Sequence, residues 1–264
     1  MIKNIGILGY GWLGLSLAKH LIDKGYQVKG TTTSLEKANQ LESQGFPTFL
    51  LDLQDNKIDQ IDAFLQGLDL LIITIPPHRG EAFPTYKTNF DKLIPFLHKH
   101  NIKKTMMMSS VSVYAAQQEL VTEENTNYSS EPTAQQIIAA EKTLIEDKSF
   151  ATCILRLGGL FGNDRHPVRY ICAREVLDNP NLPVNMIHND DIIAYTLALI
   201  ASSWENSTLY NIVCPLYKNR QDYYSTYAAS QGLTLPQLGH DDLTTYRKVD
   251  GSKIAKETGI DYTF

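Results

Sequence analysis

At 264 residues, 43% of them hydrophobic, the chain is long enough for one large domain, or a domain with an appended lobe, around a sizeable core. Its formal net charge is −5 and its basic residues are scattered, with no aromatic-interleaved basic stripe, so nothing points to a nucleic-acid partner. Cys153, Cys172 and Cys214 are odd in number and far apart, with no CxxC or Cys/His cluster. Neither a disulfide framework nor a metal site is implied, and buried free thiols are expected.

In chain order, the apolar run Ile5-Gly6-Ile7-Leu8 reads as a strand, and Leu13, Leu15, Leu17, Ala18, Leu21 and Ile22 read as the apolar positions of a helix. Between them stands Gly9-Tyr10-Gly11-Trp12-Leu13-Gly14. In such a strand–turn–helix the first glycine permits the tight turn. The second lets the backbone approach a pyrophosphate, and the third lets helix and strand pack closely. The helix N-terminus offers unpaired N–H groups and partial positive charge to the phosphates. A purely structural glycine turn is the competing reading. The immediate context favours a dinucleotide site at Gly9, Gly11, Trp12, Leu13 and Gly14. This strand begins within a few residues of Met1, which leaves no room for a signal peptide, and a cytoplasmic protein is expected.

Strand patterns recur at 26–30, 48–51, 68–75, 105–108 and 151–157, and helical patterns at 13–24, 35–43, 83–99 and 133–147. Gly25 sits where a helix C-terminal glycine belongs. Alternating strands and helices with right-handed crossovers predict an α/β fold, a Rossmann-type doubly wound parallel sheet. The second strand pattern runs into Thr31-Thr32-Thr33-Ser34 with no acid. A carboxylate there would bind the ribose 2′-OH of NAD and repel a 2′-phosphate, so its absence favours NADP, with NAD the alternative. Hydroxyls and N–H groups of Thr31, Thr32, Thr33 and Ser34 are candidate phosphate ligands, with Lys37 one turn further on. Ser34 also reads as a helix N-cap. Asp52-Leu53 follows the third strand, as an adenine contact or a plain loop aspartate. Ile75-Pro76-Pro77 ends the fourth, where the prolines force the backbone to turn beside the expected pyrophosphate. His78-Arg79-Gly80 is a candidate loop over the cofactor.

After Leu157 the rhythm breaks at Gly158, Gly159, Gly162, Asn163, Asp164 and Pro167. A helix near 168–177, a short turn, a helix at 191–203 and a strand at 209–213 follow, then a tail of mixed helix and short strands. The apolar run 192–201 is too short to span a bilayer, so no membrane association is expected. The expected organisation is a nucleotide-binding domain over 1–165, completed by 189–214. A smaller C-terminal substrate lobe comes from 166–188 and 215–264, placed to close a cleft at the carboxyl ends of the strands.

Several segments together resemble the extended and atypical branch of the short-chain dehydrogenase/reductase superfamily. More narrowly, they resemble its YeeZ-like, NAD(P)-dependent epimerase/dehydratase-like group. They are the glycine fingerprint, Asp52-Leu53, Ser109-Ser110-Val111-Ser112-Val113-Tyr114, and Leu155-Arg156-Leu157-Gly158-Gly159-Leu160-Phe161-Gly162 with Asp164-Arg165-His166-Pro167 beyond it. Val184-Asn185-Met186-Ile187-His188-Asn189-Asp190-Asp191 and Tyr210-Asn211-Ile212 complete the match. The resemblance implies cofactor contact at Ser109 and a substrate oxygen polarised by Ser110. It also implies a Tyr-xxx-Lys pair on the next helix, four residues apart on one face, the Lys holding the nicotinamide ribose and lowering the Tyr pKa.

Here the chain departs from the pattern. If Glu141 marks the acid usually four residues after the Lys, the Tyr and Lys positions hold Thr133 and Ile137. Threonine does not titrate usefully and isoleucine binds no ribose hydroxyl. A lost general acid/base costs ~10²–10⁴-fold in rate. Tyr114 is the nearest candidate substitute, although its equivalent in the family is usually structural. Tyr128 is expected to be solvated, and Tyr170 and Arg174 to be packing and surface. His188 is a further catalytic candidate, with Asp190 or Asp191 read as the cap of the following helix. Arg165 and Asn185 are candidate substrate contacts.

The leading expectation is an NADP-dependent oxidoreductase or epimerase/dehydratase-like enzyme for a polar small molecule such as a sugar or nucleotide-sugar. The alternative is a non-catalytic NADP(H)-binding redox sensor or regulatory protein. A β-hydroxyacid dehydrogenase shares the glycine turn but needs a long helical second domain. The superfamily commonly pairs helices 83–99 and 133–147 across a homodimer, so a homodimer is plausible on that resemblance.

Overall fold

The computed structural model describes residues 2–77, 85–116, 120–162, 164–202, 204–215 and 218–263. The chain runs β1 (Asn4–Leu8), α1 (Trp12–Asp23), β2 (Gln27–Thr32), α2 (Leu35–Ser43), β3 (Thr48–Leu50), α3 (Ile61–Leu65), β4 (Leu70–Ile73), α4 (Thr85–Lys99), β5 (Lys104–Ser110), β6 (Leu120–Val121), α5 (Pro132–Glu146) and β7 (Ala151–Leu157). It continues as β8 (Gly159–Phe161), α6 (Val168–Cys172), β9 (Val176–Leu177), β10 (Met186–His188), α7 (Asn189–Ala201), β11 (Thr208–Ile212), α8 (Arg220–Ser230), β12 (Gln237–Leu238), β13 (Lys248–Val249) and α9 (Ser252–Thr258).

Seven strands form one parallel sheet in the order β11-β7-β5-β4-β1-β2-β3. Successive strand residues face opposite sides, and both sides are covered by helices. On β4, Leu71 and Ile73 pack with Phe90, Leu93 and Leu97 of α4 and Ala140 and Leu144 of α5. Their neighbours Leu70 and Ile72 join Leu17 and Leu21 of α1 and Ile192 and Leu199 of α7 on the other side. A strand buried on both faces has no polar alternation, which is why Leu70-Leu71-Ile72-Ile73 reads as an unbroken apolar run.

The strand order reverses between β1 and β4, which pair side by side with Leu8 opposite Ile73. Their carboxyl ends therefore splay apart at a topological switch point, the usual ligand crevice of such sheets. Gly25 has φ +88°, and its N–H bonds to the Ile22 carbonyl, so it ends α1 as a left-handed residue.

A third core, formed by Phe161, Val168, Ile171, Leu177, Val184, Met186, Tyr223, Tyr224 and Ala228, builds a lobe beside the sheet. A two-residue parallel pairing of β12 with β9 stitches it across a long sequence distance. β13 pairs likewise with β6, and their Val249 and Val121 belong to the sheet's core. The helix expected near 168–177 stops at Cys172, because Val176 and Leu177 leave it to pair with Gln237 and Leu238. The tail does not belong wholly to the lobe. Ile254 of α9 is fully buried in the sheet's core, against α7 and β11. Among the described residues, no helix is long and apolar enough to cross a membrane.

Candidate functional site

The glycine turn is built by hydrogen bonds as well as by missing side chains. Gly9 has φ +108°, a region L side chains rarely adopt. Its N–H donates to Thr31 Oγ1 at 3.0 Å, the Tyr10 N–H donates to the Thr31 carbonyl at 2.7 Å, and Thr74 Oγ1 donates to the Gly9 carbonyl at 2.6 Å. A Cβ on Gly14 would lie 2.1 Å from the Gly9 carbonyl oxygen, so only glycine lets α1 sit against β1. A Cβ on Gly11 would meet nothing within 4 Å. The space before Gly11 is open, and the first N–H groups of α1 have no intrahelical partner. That is the cradle a pyrophosphate requires, and the residues present fit a dinucleotide.

Two cavities meet at this turn, both lined by Gly11, Thr74, Ile75 and Pro76. The first, about 260 Å³, carries Gly9, Tyr10, Thr31, Thr32, Thr33, Lys37, Asp52 and Leu53 on its walls. Ser34 is not on that wall. Its Oγ accepts from the Lys37 N–H at 3.3 Å, as the N-cap of α2. Asp52 faces the cavity with Oδ1 already accepting from the Gln54 and Asp55 N–H groups, at 3.0 and 3.2 Å. The Lys37 ammonium donates to the Tyr10 carbonyl at 2.5 Å, beside the threonines. No acid stands among Thr31–Thr33.

The second cavity, about 350 Å³, runs past Trp12, Leu13, Gly14 and Pro77 to Ser109, Ser110, Ile137, Leu157 and Gly158. Ser109 lines it, but its hydroxyl is tied to Glu141 Oε1 at 2.5 Å. Glu141 also pairs with Arg156 at 2.6 Å, both side chains 3% exposed. Ser110 ends β5. Its Oγ accepts from the Ser112 N–H at 3.1 Å, which leaves its own proton free to donate. Ser110, Leu157 and Gly158 also line a third cavity of about 390 Å³, walled on the lobe side by Leu182, Val184, Asn185, Met186, Arg220, Tyr224, Tyr246 and Arg247. Ser110 thus stands where the two chambers meet.

Residues 9–203 match a family described as NAD(P)H-binding. The whole chain is 30% identical to Protein YeeZ of Escherichia coli K12 over 268 aligned residues, covering 97% of that protein. The chain belongs to this NAD(P)H-binding family and is YeeZ-like. Solved structures agree on the fold. A short-chain dehydrogenase/reductase superfamily protein from Agrobacterium tumefaciens with bound NAD aligns at TM-score 0.83 and 13% identity, over 99% of this chain and 93% of that one. The UDP-glucuronic acid 4-epimerase from Bacillus cereus in complex with NAD aligns at 0.81 and 18%, over 99% and 94%.

Against that family background, several candidate residues lie elsewhere than the sequence suggests. Tyr114 does not reach the cleft. It is fully buried, its hydroxyl donates to Asn211 Oδ1 at 2.8 Å, and its ring lies 4.7 Å from the Arg156 guanidinium carbon. Burial pushes its phenol above the usual range, against the pull of Arg156, so it holds its proton. The expectation of a catalytic Tyr114 is corrected to a packing role.

His188 is likewise buried. Its Nδ1 accepts from the Asp190 N–H at 3.2 Å, and its ring packs edge-on to Phe161 at 4.9 Å. It lines none of the three chambers and is the side-chain cap of α7, the place expected for Asp190 or Asp191. Asp191 instead accepts from the Thr263 N–H at 2.9 Å, pinning the tail. Tyr128 is half-buried rather than solvated, its hydroxyl 3.4 Å from Arg156. Tyr170 is 66% exposed beneath the Arg174 guanidinium, a surface pair.

Arg165 lines the second cavity rather than the third, its guanidinium 5.2 Å over the Trp12 ring, while Asp164 accepts from the Trp12 Nε1 proton. Asn185 lines the third cavity, but its amide is committed to the backbone. Nδ2 donates to the Arg247 carbonyl at 2.9 Å, and Oδ1 accepts from the Val249 N–H at 3.0 Å. It fixes Arg247 and the start of β13, which follows it. His78-Arg79-Gly80 lies outside the described residues. Ile137 lines the second cavity and Thr133 lines none of the three.

Sequence reasoning missed Thr74, Tyr86, Arg220, Tyr246 and Arg247. Thr74 clamps the glycine turn, and the Tyr86 hydroxyl donates to the Ile75 carbonyl at 3.0 Å in the second cavity's wall. None sits in a motif, so only their meeting in space marks them.

Proposed function

We propose that this NAD(P)-binding protein is an oxidoreductase or epimerase/dehydratase-like enzyme that prefers NADP and acts on a polar small molecule such as a sugar or nucleotide-sugar. The observation that carries the reading is the place of Ser110, on the shared wall of the chamber beyond the glycine turn and the lobe-side chamber. The nicotinamide supplies or accepts hydride when bound. Ser110, its lone pair engaged by the Ser112 N–H, donates a hydrogen bond to the substrate oxygen on which charge changes, and polarises it without giving up its proton. Ile137 and Leu157 keep that chamber's wall apolar, which strengthens the hydrogen bond. The nucleotide-sugar class is supported by the UDP-glucuronic acid 4-epimerase of like fold. The NADP preference is supported by acid-free Thr31–Thr33 with Lys37 beside them.

Ser110→Ala should lower turnover by about an order of magnitude or more, the loss of one preorganised donor, while leaving NADPH affinity unchanged. Steady-state assays over a sugar and nucleotide-sugar panel with parallel cofactor titration check this. Full activity in Ser110→Ala removes the assignment. One observation favours a second reading: apolar Ile137 lines the cleft at the usual Lys position. If wild-type protein binds NADPH but turns over nothing in the panel, and NADPH alters its affinity for another protein, the chain is a redox sensor.

A further inference from the structure

We propose that Arg220 and Arg247 form an anion subsite in the lobe-side chamber and hold a phosphate ester carried by the substrate. The inference rests on the functional reading above and names the substrate's handle. Both arginines line that chamber, which has no aspartate or glutamate in its wall. The Nε atoms of both are buried without a hydrogen-bond partner. A guanidinium keeps its charge in proteins, and a buried donor left unpaired is costly. Burial lowers the Arg247 pKa with no acid to oppose it.

Three acids of the same lobe are turned to other work. Asp222 accepts from Asn219 Nδ2, Asp241 from the Asn181 backbone and amide, and Asp242 from the Thr244 N–H. Two anchors three residues apart hold the arginines to one segment. The Arg220 N–H donates to the Leu182 carbonyl at 2.9 Å, and Asn185 binds the Arg247 carbonyl. The Tyr224 ring lies 5.8 Å from the Arg220 guanidinium carbon. The amides at the start of α8 are spent on Pro180, Leu182 and Asn219, so side chains alone would hold the anion. Two fixed positive charges match a phosphoryl dianion, whereas a carboxylate would neutralise only one.

The test uses protein saturated with NADP⁺, so that phosphates cannot enter the cofactor cradle. Uridine diphosphate and glucose 1-phosphate are titrated by calorimetry, with glucuronate as the carboxylate control. At least one phosphate probe should bind, and Arg220→Gln and Arg247→Gln should each weaken it at least about tenfold. Binding of uridine diphosphate alone identifies a nucleoside diphosphate as the handle, and binding of glucose 1-phosphate identifies a sugar phosphate. NADPH affinity is the folding control, since neither arginine lines the two cofactor cavities. Should a glutamine variant fail that control, Arg220→Lys and Arg247→Lys, which keep the charge and lose the fork, decide by a loss of about threefold or more. No phosphate binding, equal affinity in the variants, or arginine-dependent binding of glucuronate as tight as that of the phosphates overturns the subsite. Failure of wild-type protein to bind NADPH would instead fall on the functional reading.

Discussion

Gly11 separates two uses of glycine within a six-residue motif. Gly9 and Gly14 are needed by the fold, through a positive φ and a 2.1 Å approach. Gly11 has ordinary extended backbone, φ −73° and ψ −163°, with open space before it. Gly11→Val should therefore fold, because a Cβ there meets no atom within 4 Å, yet fill the place of the pyrophosphate and abolish NADPH binding. Fluorescence titration with a circular-dichroism melt checks both halves. Unchanged NADPH affinity in folded Gly11→Val would refute the cradle. In the same titration, wild-type protein should bind NADPH more tightly than NADH.

At the scale of elements, β5, α5 and β7 are joined beneath the cleft by one buried polar cluster. Ser109 and Arg156 sit opposite each other across β5 and β7, and Glu141 of α5 binds both. Glu141 raises the Arg156 pKa against desolvation, so the guanidinium stays charged. Tyr114 and Tyr128 cover it at 4.7 and 5.2 Å. Breaking such a pair strands a buried charge. Glu141→Gln should cost about 3–5 kcal/mol of stability in urea unfolding, against near zero for an exposed ion pair. A loss below about 1 kcal/mol would show that the cluster contributes little. This cluster also explains why Ser109 and Ser110, adjacent in sequence, differ in use. One hydroxyl is consumed by the scaffold and the other is left to the cleft.

For the whole molecule, the lobe-side cavity depends on the packing of the lobe's own core, and one histidine makes that core sensitive to acid. His166 Nδ1 accepts from the Val168 N–H at 3.1 Å, Nε2 faces the Tyr223 hydroxyl at 3.2 Å, and the ring stacks on Tyr227 at 3.8 Å. Both contacts suit one neutral tautomer, and burial pulls the pKa down to about 4. Unfolded histidine titrates near 6.5, so the unfolded chain takes up a proton first as pH falls. The stabilisation is complete above about 6.5 and lost progressively toward 4. Urea unfolding at pH 7 and pH 5 should show a drop in wild type that His166→Gln reduces. An equal drop in both would exclude His166 as its source.

How far the site was legible depended on whether its parts were neighbours in the chain. Gly9–Gly14, the acid-free Thr31–Thr33 and the apolar strands are local patterns. Each is set by backbone sterics, by one strand end or by a two-residue period, so the parallel α/β fold and the tight glycine turn could be read directly. Val176 and Leu177 continue a helical pattern in sequence yet form a strand, because their pairing partners lie some sixty residues on, at Gln237 and Leu238. Tyr114 and His188 have the chemistry of catalytic groups, and only their packing, against Asn211 and Phe161, removes them from the cleft. Arg220 and Arg247 carry no motif at all. A sequence states which groups a chain owns and which local shapes sterics permit. Which of those groups are desolvated, which are already hydrogen-bonded and which are left facing a cavity is decided by contacts between distant segments, and those exist only once the sheet and the lobe have packed.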